Sequence, residues 1–113
     1  MHLKAYLANI PNLHCWDGKT WNTGGFDRWA FDRLHTLMAE HLPPRPAFIE
    51  TGAGNSTIFF LLHAPSRVVS IAPDAELFTR IRTYCDEHGI SQEPLTAHIA
   101  GSQWVLPEIA AGG

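Results

Sequence analysis

The chain is poor in basic residues and has no long apolar run. Its 113 residues contain eight lysines and arginines, only two of them lysines, and the formal net charge at pH 7 is −3. The six arginines are scattered along the chain, so no basic stripe that could neutralise a nucleic-acid backbone is predicted. No apolar segment approaches the roughly 20 residues that cross a bilayer. We therefore expect a protein that binds neither nucleic acid nor a membrane.

Cysteine is also scarce, and the two thiols belong to Cys15 and Cys85. No secretory leader is recognisable at the start of the sequence, so we expect both thiols to be reduced, Cys85 on the buried side of a helix, and the protein to be cytoplasmic. Cys85 and His88 share a helix face, but no second pair at metal-ligand spacing accompanies them. No metal site is predicted.

The length permits one domain with one hydrophobic core. Residues 1–25 carry tryptophans beside glycine-rich turns, which predicts an irregular arm that folds back over the rest of the chain. Residues 26–113 alternate between helical and strand patterns. The predicted order is a helix over 26–41 with Trp29 on its core face, a strand at 46–49, a helix over 56–63, a strand at 67–71, a helix that Asp74 caps and Gly89 ends, a strand at 95–100 and a short helix over 103–110.

This order is typical of an α/β fold in which right-handed crossovers place the strands in parallel, with the local strand order 3-2-1. No fourth strand is predicted before the sequence ends, so we expect an incomplete sheet. The free edge of its first strand is then a candidate surface for forming a homo-oligomer.

The segment Glu50–Thr57 lies where the first strand meets the next helix. Gly52 and Gly54 allow a tight turn and a close approach of the backbone to a ligand, and the amides that follow point toward whatever binds there. A P-loop is excluded because no Gly-Lys-Ser/Thr follows. A nicotinamide dinucleotide site remains an alternative, since Asp74 lies about 20 residues beyond Gly54, although Thr57 occupies the place of its third small residue.

Glu50 favours a different family. An acidic residue two positions before the first of the glycines resembles motif I of the class I S-adenosylmethionine-dependent methyltransferases, with Glu50, Gly52 and Gly54 matching and Ser56 at the last glycine position. The resemblance extends over roughly residues 26–110, although only this motif is specific. It implies a Rossmann-like, three-layer half-domain at 26–113, preceded by the aromatic-rich arm, that binds S-adenosyl-L-methionine and transfers its methyl group to a small acceptor.

The resemblance also implies roles for individual residues. Glu50 would orient the methionine ammonium, and the backbone of Thr51, Gly52, Ala53 and Gly54 would lie along the cofactor, with Ser56 and Thr57 at the start of the following helix. The position of the family's ribose-binding acid holds Ala72 in this sequence, so either Asp74 replaces that acid or the ribose is held differently. Ser102 and Gln103 would meet the adenine. No catalytic base can be named, because the family places acceptor recognition after a fourth strand.

Two further interpretations stay open. The glycines could form a plain strand-to-helix turn with Glu50 as a capping or salt-bridging carboxylate. The chain could also be a truncated, self-associating α/β module with no turnover.

Overall fold

The structure, a computed structural model, describes residues 1–11, 13, 15–16, 19–20 and 28–112. The predicted turns at 17–18 and 21–25, and the predicted helix start at Phe26, lie outside this range.

The first part of the chain has more regular structure than the irregular arm that we expect. Helix α1 spans Leu3–Ala8, and the two-residue strands β1 (Cys15–Trp16) and β2 (Lys19–Thr20) pair in antiparallel fashion. Tyr6 and Leu7 on α1 are buried in the main core. Burial of this apolar face against the rest of the fold explains why so short a helix forms.

The centre of the fold is a parallel three-stranded sheet, as the alternating pattern predicts. Its strands are β3 (Ala47–Thr51), β4 (Arg67–Ala72) and β5 (Leu95–Ile99), with β4 in the middle. Because all three run in the same direction, their carboxyl ends lie at one edge of the sheet. The chain is therefore a small α/β fold.

Four helices precede, connect or follow these strands: α2 (Arg28–His41), α3 (Asn55–Leu61), α4 (Ala75–His88) and α5 (Ser102–Gly112). The predicted ends of α4 are confirmed. Asp74 accepts hydrogen bonds from the amides of Glu76 and Leu77, and Gly89 ends the helix at a φ of 66°. None of the helices in the described ranges has the length and apolar character that a membrane crossing requires.

Helices pack on both faces of the sheet. The larger core joins buried residues of α1, α2, α3 and α4 to Val68 and Leu95 on one face. On the other face, Val105 of α5 packs on Val69 and Ile71. The predicted burial of Cys85 on a helix is confirmed, since it is fully buried on α4, and desolvation raises the pKa of its thiol to about 11.

The core prediction for Trp29 is wrong. Its side chain is 71% exposed, while Phe31 and Met38 of the same helix are buried and Leu34 packs against the core. Phe31, Leu34 and Met38 follow one another at spacings of three and four residues, so they define the buried stripe of α2. Trp29 lies beside that stripe rather than on it.

Candidate functional site

The glycine turn lies at the carboxyl end of β3 and leads directly into α3. Gly52 has a φ of 90° and Gly54 a φ of 147°, conformations that residues with a Cβ rarely adopt. The amide of Gly52 donates a 2.6 Å hydrogen bond to the carbonyl of Ile71, which ties the turn to β4. A Cβ placed on Gly52 would meet nothing within 4 Å, so this side of the turn faces open space.

The Glu50 side chain connects the turn to the neighbouring strand and helix. Its Oε1 accepts hydrogen bonds from the hydroxyls of Thr57 and Ser70, the latter at 2.7 Å, and its Oε2 accepts one from Ser56 at 2.7 Å. Thr57 and Ser70 are fully buried. A carboxylate offers about four lone-pair positions, so three hydroxyls leave one on Oε2. The main work of Glu50 in this structure is to connect β3, β4 and the start of α3.

Thr57 closes the turn from the helix side. Its Oγ1 accepts a 3.1 Å hydrogen bond from the amide of Gly54 while donating to Glu50, and its own amide donates to the carbonyl of Gly54 at 3.1 Å. The bond from the Gly54 amide to Thr57 Oγ1 is the half of a capping box that the N3 side chain supplies, and the Gly54 carbonyl accepts the other bond because glycine has no side chain. Ser56 and Thr57, both predicted at the site, therefore shape the loop through their side chains.

Three amides of the loop remain available. Those of Ala53, Asn55 and Ser56 donate no hydrogen bond to any residue within the described ranges. They follow one another around Gly54, whose own amide is engaged. Such amides, at the start of a helix and beside a glycine turn, are candidate donors to an acceptor atom of a ligand.

Asp74 follows β4 at the same edge of the sheet. Its Oδ1 accepts both capping bonds, at 3.0 Å from Glu76 and 3.3 Å from Leu77, and no described residue donates to its Oδ2. Ala72 is buried, and its carbonyl accepts a 3.1 Å hydrogen bond from the amide of Ala100. One oxygen of Asp74 thus has a structural role, while Ala72 contributes only backbone and a methyl group.

Ser102 and Gln103 begin α5 after β5. The side-chain amide of Gln103 lies 2.6 Å from the position that a Cβ on Gly101 would take, and Gln103 is exposed. The predicted residues around the turns after β3, β4 and β5 therefore lie along one edge of the sheet, because the three strands are parallel.

Two residues of this arrangement were missed by sequence reasoning. Ser70 is a buried polar residue within an apolar strand, a local signal that could have identified it. Tyr6 gave no local signal: its hydroxyl contacts Asn55, which is 49 positions later in the chain.

A second polar cluster lies away from this edge. The Nδ1 of His35 and the Nε2 of His63 are 2.9 Å apart, and His63 Nδ1 donates to the carbonyl of Phe59 at 2.7 Å. Both rings line a cavity of about 310 Å³ that Pro46 borders at the start of β3. Burial, with a smaller contribution from His35, lowers the pKa of His63 below its ordinary value, against the Phe59 hydrogen bond, which raises it. This cluster is at the opposite end of β3 from the glycine turn.

Comparison with known proteins yields no matching family model, no matching curated protein and no matching solved structure.

Proposed function

We propose that the chain binds S-adenosyl-L-methionine at the turn Thr51–Gly54 and transfers its methyl group to a small acceptor. In this proposal, the fold is a Rossmann-like half-domain with the local strand order 3-2-1, and the cofactor lies across the carboxyl ends of its strands. The observation that carries the proposal is the exposed glycine turn with three unengaged amides, held in place by the buried hydroxyl contacts of Glu50.

The available atoms assign roles to the predicted residues. The remaining lone pair on Glu50 Oε2 would accept from the methionine ammonium, and the amides of Ala53 and Ser56 would face the polar atoms of the ligand. Asp74 Oδ2 would accept from a ribose hydroxyl, since its Oδ1 is already engaged. Gln103 and Ser102 would border the adenine.

The reaction makes modest demands on such a site. When bound, S-adenosyl-L-methionine would supply a methyl group that passes from its sulfonium sulfur to a lone pair on the acceptor, and the electron pair of the broken carbon–sulfur bond would stay on the released S-adenosylhomocysteine. Holding donor and acceptor in line supplies most of the rate enhancement. No residue of the described chain is assigned as a base, and a neutral acceptor would release its proton to water.

The experiment is a parallel thermal-shift and calorimetric titration with S-adenosylhomocysteine, NADH and ATP. A ligand that binds only the folded state raises the Tm. The proposal expects a rise with S-adenosylhomocysteine alone, and no response in a folded Glu50→Ala variant. A rise with NADH alone would replace it with the dinucleotide alternative, and no response to any of the three would overturn it.

A second candidate function is self-association through the edge of β3. Within the described residues β3 pairs only with β4, and Ile49 on this strand is 53% exposed. An open strand edge with an exposed apolar side chain is a template for pairing with another copy. Light scattering after size exclusion tests this: a dimer that Ile49→Lys converts to a monomer supports it, and a monomeric wild type refutes it.

A further inference from the structure

Residues near the start of the chain form hydrogen bonds to the first turn of α3. The hydroxyl of Tyr6 donates to Asn55 Oδ1 at 2.7 Å and lies 3.1 Å from the Asn55 carbonyl oxygen. The side-chain amide of Asn55 donates to the carbonyl of Pro11 at 3.0 Å. Both polar atoms of the Asn55 side chain are thus engaged, directly after Gly54.

Tyr6 is well placed to impose this constraint. Its side chain is fully buried, and its ring makes an edge-to-face contact with Tyr84 of α4 at a centroid distance of 5.9 Å. Burial raises the pKa of its phenol above the ordinary value, so the hydroxyl is protonated at neutral pH and can donate.

The glycine turn is therefore held by two separate sets of contacts. Glu50 engages Ser56, Thr57 and Ser70, while Tyr6 and Pro11 engage Asn55. The amides that the proposed function uses belong to the same short segment, residues 53–56. A loop that contains two glycines would otherwise sample many backbone conformations, and binding would have to select one of them.

We propose that Tyr6, Pro11 and Asn55 form a clamp through which residues 1–11 hold the cofactor loop in its binding conformation. Tyr6 is then a positioning residue for the adenosyl ligand rather than a contact to it. The ligand part of this proposal rests on the proposed function, whereas the ordering of the loop does not.

The test compares Tyr6→Phe with Tyr84→Phe in the full chain. Tyr84→Phe is the matched control, because it removes a phenol hydroxyl from the same ring pair, and that hydroxyl contacts only Met1 Sδ, at 3.6 Å, among described residues. Amide hydrogen exchange in the ligand-free protein and the Kd for S-adenosylhomocysteine are measured for both variants and for Asn55→Ala.

In Tyr6→Phe, the amides of Gly54 and Thr57 should exchange about tenfold faster while that of Val69 in the sheet changes less, as expected for local opening. The Kd should rise about fivefold because the loop must be ordered on binding. Tyr84→Phe should change neither. Tyr6→Phe combined with Asn55→Ala should weaken binding no more than Asn55→Ala alone, because both remove the same bond.

Equal acceleration at Gly54, Thr57 and Val69 would show a purely global effect and would overturn the clamp. An unchanged Kd beside accelerated local exchange would overturn its role in binding. If the wild type itself binds no S-adenosylhomocysteine, the proposed function and the ligand part of the clamp both fail, and the exchange experiment still decides whether the clamp orders the loop.

Discussion

Ser70 donates a 2.7 Å hydrogen bond from its hydroxyl to Oε1 of Glu50, directly across the paired positions of β4 and β3. Ser70 is fully buried and Glu50 is half-buried, so water has little access to either group. The hydroxyl and the carboxylate therefore satisfy each other's hydrogen-bonding capacity. The contact fixes the last residues of the edge strand to the middle of the sheet. The glycine turn begins from this fixed point.

Replacing Ser70 with alanine should therefore destabilise the protein. A hydrogen bond to a charged group contributes about 2 kcal/mol, and the carboxylate would lose one of its three donors. Urea unfolding measures the effect. Ser66→Ala is the control, because Ser66 is exposed and its hydroxyl makes only a 3.5 Å contact with Pro46, and it should change stability by less than about 0.5 kcal/mol. Equal effects of the two substitutions would contradict the role of Ser70.

Gly52→Ala should separate stability from binding. Gly52 and Gly89 both have positive φ, and a Cβ on either would meet nothing within 4 Å, so alanine at either position should cost about 1–2 kcal/mol through the backbone alone. Of the two glycines, only Gly52 lies in the turn that the proposed function assigns to the ligand. Gly52→Ala should weaken S-adenosylhomocysteine binding by roughly tenfold, about 1.4 kcal/mol, and Gly89→Ala should not. Calorimetry that found equal affinities would argue against this face of the turn.

Asp74 caps α4 and, in the proposed function, also contacts the ribose. Substitution by serine and by alanine separates these two roles. Serine retains an N-cap oxygen for the amides of Glu76 and Leu77, whereas alanine removes the cap at a cost of about 1 kcal/mol. Both remove the second carboxylate oxygen, which the proposal assigns to the ribose. Asp74→Ser should therefore keep the wild-type Tm and still bind S-adenosylhomocysteine more weakly. Retained affinity in this variant would leave Asp74 as a helix cap only.

His63 should make stability depend on pH. Its pKa is lowered in the folded state, chiefly by burial, so the unfolded chain binds more protons below about pH 6.5. The stabilisation is complete above that pH and is lost as the pH falls through the folded-state value. His63→Gln should flatten the decline in Tm between pH 7.5 and pH 5. His88→Gln is the control. Nδ1 of His88 also contacts a carbonyl oxygen four residues earlier, that of Tyr84, but the His88 ring is exposed. This variant should keep the wild-type decline in Tm.

Much of the α/β framework is readable from local sequence patterns. The ends of α4 follow from Asp74 and Gly89, because capping and left-handed termination depend on neighbouring residues alone. The strand predicted at 46–49 continues to Thr51, since Glu50 and Thr51 pair with Ser70 and Ile71 in the parallel sheet. The local sequence does not reveal this pairing, because Glu50 and its partner Ser70 are 20 positions apart in the chain.

The site was less accessible to sequence reasoning. Glu50 and the glycines mark the turn. The family resemblance assigns Glu50 to a ligand, and the alternative makes it a capping or salt-bridging carboxylate, but neither predicts the three hydroxyls that surround it. The contact between Tyr6 and Asn55 joins residues 49 positions apart and leaves no periodic trace. The exposure of Trp29 likewise depends on which face of α2 meets the core.

An amide chemical-shift titration of the full chain with S-adenosylhomocysteine locates the binding site residue by residue. We expect the amides of Ala53, Asn55 and Ser56 to shift most and to saturate together, with smaller changes near Asp74 and Gln103 and none at the cavity beside His35 and His63. Shifts confined to that cavity, or no shift at these three amides when ligand is in excess, would contradict this expectation.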